Sequence, residues 1–165
     1  MPVADICDAH ADRVQVLDLD FQHFTDTAHF SGPCRLFALH AADAFLAEQF
    51  KQDGAGAVAL VSVAVRPHVA VFGDGMARNA EANGWAGVVI EGSLRDIALI
   101  EERKIGIIAT GIAPRISRNG PVGYAASELM IGGVLVRAGD WIVADGDGLI
   151  CIGKDLAASL GADIT

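Results

Sequence analysis

The chain has 165 residues, a formal net charge of −9 and 52% hydrophobic residues, with only 6% aromatic. That length fits one domain with a core of its own, and a negative chain repels phosphate backbones, which argues against direct nucleic-acid binding. No apolar run reaches the ~20 residues that a membrane helix requires, and the scattered Cys7, Cys34 and Cys151 form no CxxC pair, which argues against a disulfide framework or a zinc knuckle and fits the reducing cytoplasm.

In chain order, residues 5–10 predict a short opening helix and residues 13–17 alternate apolar and polar side chains like a strand. Residues 21–31 are mixed and expected to wrap the surface, and residues 34–39 read as a strand. Ala42, Phe45, Leu46 and Phe50 recur at helical spacing within residues 41–50, and the glycines of 52–56 end that helix. Residues 57–65 form a β-rich apolar run expected to be a buried strand, interrupted by Pro67. A helix is expected from Asp74 to Asn83-Gly84, a strand over 86–91, a turn at Gly92-Ser93, a short helix over 94–103 and a strand over 105–109. This alternation favours a parallel or mixed α/β layer. Pro114, Gly120, Pro121 and Gly123 predict a loop over 111–124. Short β pieces follow at 134–136, 141–143 and 149–152, separated by turn-like Ala138-Gly139-Asp140 and Asp145-Gly146-Asp147-Gly148, and Asp155 is expected to cap a last helix running to about Leu160. An α/β half followed by a β-rich half implies two sheet layers with helices in a single domain.

Two pairs carry chemistry. Gly73-Asp74-Gly75 opens a predicted helix whose first amides point outward unpaired, a terminus suited to carboxylate or phosphate. Arg95-Asp96 offers a guanidinium that can grip a planar carboxylate and a hard oxygen ligand for magnesium or manganese. Taken alone, the first also reads as a turn and a cap, and the second as a first-turn aspartate beside a surface arginine. Together, with a helix and a strand between them, they can return to one edge of a sheet, where ligands bind in open α/β layers. The Asp145 to Gly148 run lacks the remaining positions of a calcium loop and reads as a β-turn, and Gly73-x-Gly75 lacks the third glycine of a dinucleotide fingerprint. His10, His23, His29, His40 and His68 show no metal spacing; His68, nearest the pairs, reads as a local acid or base or as a surface residue.

The spacing of Gly73-Asp74 and Arg95-Asp96 resembles the signature of the RraA-like family, which contains the divalent-metal-dependent 4-hydroxy-4-methyl-2-oxoglutarate aldolases and the regulator of ribonuclease E activity A. Similar segments span nearly the whole chain: Ala4-Asp5-Ile6-Cys7-Asp8-Ala9, Asn83-Gly84-Trp85-Ala86-Gly87-Val88-Val89-Ile90, Gly132-Gly133-Val134-Leu135-Val136 and the run from Gly139 to Gly148. The resemblance implies a swivelling β/β/α fold and a homotrimer, sometimes doubled to a hexamer, with the site at the subunit boundary. It implies cleavage of a pyruvate-derived aldol, a small oxo acid, with oxaloacetate decarboxylation as a companion activity. Carried over residue by residue, Asp96 would be the metal ligand (Mg2+ or Mn2+), Asp74 would hold water on the metal, Arg95 would bind the keto acid and stabilise enolate charge, and the Gly73, Asp74, Gly75 and Met76 backbone would receive the substrate carboxylate. The chain departs from the family pattern at Leu99, where an acidic residue is usual, at residues 62–66, where many members have Asp-Gly-Gly-Gly, and at Gly75, where a larger apolar residue is common. The expected activity is a metal-dependent lyase; the alternative is a non-enzymatic regulator of a ribonuclease E-type enzyme. A methyltransferase reading finds no glycine-rich loop suited to S-adenosylmethionine.

Overall fold

The computed structural model describes residues 1–40, 44–63, 68–116 and 123–164. In chain order its elements are α1 (Val3–Ala9), β1 (Val14–Val16), β2 (Gln22–His23), β3 (Phe30–Leu39), α2 (Ala44–Phe50), β4 (Val58–Val63), β5 (Ala70–Phe72), α3 (Asp74–Ala82), β6 (Gly87–Leu94), α4 (Ile97–Ile100), β7 (Gly106–Ile112), β8 (Tyr124–Ala126), β9 (Glu128–Ile131), β10 (Val134–Arg137), β11 (Trp141–Ala144), β12 (Leu149–Ile152) and α5 (Lys154–Leu160), with short 3-10 turns at Ala11–Arg13 and Gly161–Ile164.

β3 is the spine of the architecture. Its first residues, from Phe30 to Pro33, pair antiparallel with β11, and its remainder, from Cys34 to Leu39, pairs parallel with β4. On one side β11, β12 and β1 continue antiparallel. On the other, β4, β6 and β7 continue parallel, with β2 antiparallel at the far edge. β5 runs parallel to the end of β6, β8 lies antiparallel along β3, and β9 and β10 form a separate hairpin.

The two-residue period of a strand sends alternate side chains to opposite faces. Phe37, Val61, Val88, Ile90 and Ile107 pack against Leu46 and Phe50 of α2 and Met76, Ala77 and Ala80 of α3. Their neighbours Leu36, Val58, Leu60, Val89 and Ile108 face Ile142, Leu149 and Cys151 of the antiparallel sheet. The outer face of that sheet, Val143, Ile150 and Ile152, is covered by Val3 and Ile6 of α1 and Leu156 and Ala157 of α5. The result is helices, sheet, sheet, helices: the two sheet layers expected, with helices on both outer faces, in a single mixed α/β domain. Each fully buried aliphatic side chain in these layers contributes about 1.5–3 kcal/mol. One contact between the sheets depends on missing side chains: a Cβ at Gly87 or Gly106 would lie 2.2 or 2.0 Å from a carbon of the Phe30 ring.

Several local expectations are corrected. Gly92-Ser93 does not turn the chain; β6 continues to Leu94, because the Gly92 amide donates to Thr110 Oγ1 (2.9 Å) and Ser93 pairs with Gly111 across a register shift. The helix expected from residue 94 therefore starts only at Ile97 and spans four residues. β7 runs on to Ile112, inside the expected loop, and β8 starts at Tyr124. β3 starts at Phe30, four residues early, with Pro33 opposite Trp141. β2, β5, β8 and β9 are strands that the sequence pattern does not predict. α5 is capped by Gly153; Asp155 sits in its first turn and pairs with Arg13 at 2.7 Å. Asp145 makes the expected turn, accepting the Asp147 amide (2.9 Å), and its second oxygen accepts the Val3 amide (2.8 Å) at the start of α1. The expectations at residues 41–43, 64–67 and 117–122 lie outside the described residues.

Candidate active site

The site is built where parallel strands end. β5 stops at Phe72 and Gly73 caps α3 in an extended conformation, with its carbonyl accepting the amides of Met76 and Ala77, both at 3.1 Å. Helix geometry leaves the amides of Asp74 and Gly75 without intrahelical partners at the positive end of the helix. β6 stops at Leu94, and the next amide, Arg95 N–H, donates to the Phe72 carbonyl (3.0 Å), so the two turns are locked side by side. Asp96 then adopts a left-handed backbone (φ 64°), and its carbonyl accepts the Leu99 and Ile100 amides at 3.0 and 3.1 Å. An aspartate tolerates this conformation better than most residues, yet it is uncommon outside glycine and turns the side chain in a direction ordinary backbone does not offer.

The Arg95 and Asp96 side chains come together, Nε to Oδ2, at 3.4 Å. Gly73 permits it: a Cβ there would lie 2.7 Å from Asp96 Oδ2. Between them opens a hollow of about 520 Å3, lined by Gly73, Gly75, Met76, Arg78 and Asn79 from the start of α3, by Arg95 and Asp96, and by Ala47 and Ile116. Arg95 Nε is shut from water, and its contact with Asp96 Oδ2 is an ion pair without hydrogen-bond geometry, which leaves the donor free to take an acceptor. A Cβ at Gly75 would meet nothing within 4 Å, so this glycine widens the space.

Five of the six residues singled out in the sequence, Gly73, Gly75, Met76, Arg95 and Asp96, line this hollow. Asp74 is absent from that lining. Its carboxylate, only 16% exposed, accepts Arg78 Nη2 at 3.4 Å on Oδ2, while Oδ1 lies 3.4 Å from Arg103 Nε as an ion pair without a hydrogen bond, that Nε donating to the Leu99 carbonyl. Arg78 was readable as the i+4 neighbour of Asp74. Arg103 was not, because it arrives from beyond α4. His68 is exposed and Leu99 is 49% exposed. Ser62, where the family-like loop departs, donates its hydroxyl to Glu91 Oε2 (2.7 Å) in the sheet.

Among the described residues no three His, Cys, Asp or Glu side chains converge as a metal cage. One aspartate beside open space fits a magnesium-like ion, which keeps most of its waters and takes one or two carboxylates plus substrate oxygens. It does not fit a closed zinc or calcium site. No helix among the described residues is long and apolar enough to cross a membrane.

Fold and site together define an α/β protein in which the open end of a helix, an arginine and an aspartate share one hollow. The family model "RraA-like: Aldolase/RraA" matches residues 3–151, and the chain belongs to this RraA-like family. It is 34% identical over 151 residues to proteins of Burkholderia mallei (strain SAVP1) and Burkholderia pseudomallei (strain K96243), covering 88% of this chain and 92% of theirs. Both carry the name "Putative 4-hydroxy-4-methyl-2-oxoglutarate aldolase". Among solved structures it is similar to one described as the S-adenosylmethionine: 2-dimethylmenaquinone methyltransferase of Geobacillus kaustophilus HTA426, with 35% identity, a TM-score of 0.91, and coverage of 98% of this chain and 100% of that one. It is also similar to the RNA-processing inhibitor RraA from Thermus thermophilis, with 30% identity, a TM-score of 0.86, and coverage of 92% of each chain.

Proposed function

We propose that this protein is a divalent-metal-dependent lyase that cleaves a pyruvate-derived aldol such as 4-hydroxy-4-methyl-2-oxoglutarate, with oxaloacetate decarboxylation as a side activity. The observation that carries the reading is the meeting of Arg95 and Asp96 with the open end of α3 in one hollow. The substrate's carboxylate rests on the Asp74 and Gly75 amides, where helix-end charge favours an anion. Arg95 grips the oxo-acid group and faces the negative charge that develops as the substrate hydroxyl gives its proton to solvent, the carbon–carbon bond breaks, and its electron pair passes to the keto-bearing fragment, a pyruvate enolate that then takes a proton from solvent at carbon. Asp96 would hold Mg2+ or Mn2+. The cation, when bound, polarises the keto oxygen as a Lewis acid. Met76, 8% exposed, backs the cradle from the core side. In this reading the working form is a homotrimer or hexamer in the cytoplasm, with the open side of the hollow facing a neighbouring subunit.

The test is pyruvate release from the aldol and from oxaloacetate, with and without Mg2+ or Mn2+. Turnover that depends on the ion, and falls at least about tenfold in Arg95→Lys, supports the proposal, because lysine cannot reproduce a two-pronged grip.

A second reading is a regulator acting through protein contacts on a ribonuclease E-type enzyme. The likeness to the RraA structure favours it, and the charge of −9 suits a basic partner segment. Absence of turnover with any divalent ion, together with tight ribonuclease binding, would put this reading first.

A further inference from the structure

Neither backbone nor packing asks for a glycine at position 75. Gly75 lies in the first turn of α3, outside the left-handed region where glycine is favoured. A Cβ there would meet no atom of the described residues within 4 Å. Gly73 is the contrast, since a Cβ at that position would strike Asp96 Oδ2 at 2.7 Å. Helix Cβ atoms tilt toward the N-terminus, which aims the side chain that Gly75 lacks at the hollow it lines. Arg78 and Asn79, one turn further on, share that face and line the same space. From Gly73 to Asn79 the lining follows α3 for roughly 9 Å. Arg95 and Asp96 stand at the Gly73 end. The remaining walls are apolar: Ala47 of α2, packed against the core, and Ile116, tied by a bridge to Ala70. A hollow of about 520 Å3 is large enough for a ligand well beyond the pyruvate half of an aldol.

We propose that Gly75 sets the size limit of this site: the missing side chain leaves a subsite, bounded by Ala47 and Ile116, for an apolar substituent longer than methyl on the fragment that departs from pyruvate. This rests on the lyase reading and specifies its substrate class, a 4-alkyl-4-hydroxy-2-oxo diacid. The acid end stays with the α3 amides and Arg95, and the alkyl chain leaves water for the apolar walls. Each methylene buried there is worth about a fourfold gain in affinity.

The experiment pairs binding with turnover in the full chain with Mg2+. Malonate and butylmalonate are titrated calorimetrically, and pyruvate release is followed from 4-hydroxy-4-methyl-2-oxoglutarate and from its 4-butyl analogue. Wild type should hold butylmalonate at least about tenfold tighter than malonate, and its kcat/KM for the butyl aldol should match or exceed that for the methyl aldol. Gly75→Leu should erase the butyl preference in binding and cut the butyl-to-methyl ratio of kcat/KM about thirtyfold, with Gly75→Ala cutting it about threefold. Ala47→Leu narrows the subsite from α2 and should lower the same ratio about tenfold. Gly75→Leu should melt no lower than wild type, because leucine suits a helix better than glycine and its Cβ meets nothing. A clear fall in its melting temperature would put a neighbouring subunit in the space and overturn the proposal. So would wild type that cleaves the methyl aldol yet disfavours the butyl aldol about tenfold, or a ratio unmoved by Gly75→Leu and Ala47→Leu; either leaves the lyase reading standing. Wild type that releases pyruvate from neither aldol with any divalent ion removes that reading and this proposal with it.

Discussion

Asp96 combines a backbone of φ 64° with a side chain at the wall of the hollow, and these properties can be separated by substitution. Asn tolerates the left-handed region as Asp does. Asp96→Asn should therefore melt within a few degrees of wild type while losing metal-dependent turnover by about a hundredfold or more, since the charged oxygen ligand is gone. Asp96→Gly should lose turnover equally but gain up to ~1 kcal/mol of stability, because glycine carries no penalty for that backbone. A variant that retained full turnover would remove Asp96 from the metal. Gly73→Ala asks the complementary question. Its Cβ would arrive 2.7 Å from Asp96 Oδ2, the mobile end of a side chain, so the carboxylate moves and the fold survives. We expect native melting with Mn2+ affinity and turnover each reduced about tenfold, read by Mn2+ titration and pyruvate release.

At the scale of elements, the strands buried on both faces were the most legible part of the chain. β4 and the body of β6 are runs dominated by Val, Leu and Ile, and such runs belong in a parallel sheet. The end of β6 was not legible, because Gly92-Ser93 is turn chemistry locally and becomes strand only through Thr110, eighteen residues on. β5, three residues long, carries too little pattern to be recognised. The same division runs through the site. The pairing of Gly73 with Arg95-Asp96 followed from the alternation of helix and strand, whereas the ion pair of Asp74 with Arg103 could not be read from spacing. Close packing between sheets is likewise hidden in sequence: Gly106 looks like a strand opener, yet it is the seat of the Phe30 ring. Gly106→Ala should lower stability by about 1–3 kcal/mol through overpacking, measured as an earlier urea midpoint with an unchanged slope. A midpoint within error of wild type would show that the two sheets can separate to admit a methyl group.

Across the whole molecule, the two interior thiols tie stability to alkaline pH. Burial, the leading cause for both, pushes Cys34 up to about 11 and Cys151 up to about 12, with Asp140 adding to each and the Gly139 backbone opposing it at Cys34. A thiol whose folded pKa lies above its unfolded value favours the native state fully at pH below the unfolded value of 9.0. That contribution fades as pH climbs from 9 through about 11–12, because the unfolded chain deprotonates first. Urea midpoints should thus be level near pH 7–8 and decline above 9, with a shallower decline in Cys34→Ala and Cys151→Ala. At pH 8 a thiol reagent should titrate the half-exposed Cys7 in native protein and all three cysteines after denaturation.

The dual role of β3 also bears on the order in which the molecule can be made. On a ribosome, its later half can zip to β4, β6 and β7 as soon as residue 112 has emerged, while its first half must wait for β11, more than a hundred residues downstream of Phe30. During that interval Leu36, Val58, Leu60, Val89 and Ile108 form a greasy plate with no lid. Nascent chains stalled or truncated before residue 141 should therefore be avid chaperone clients, and synthesis slowed across residues 113–140 should prolong their hazard.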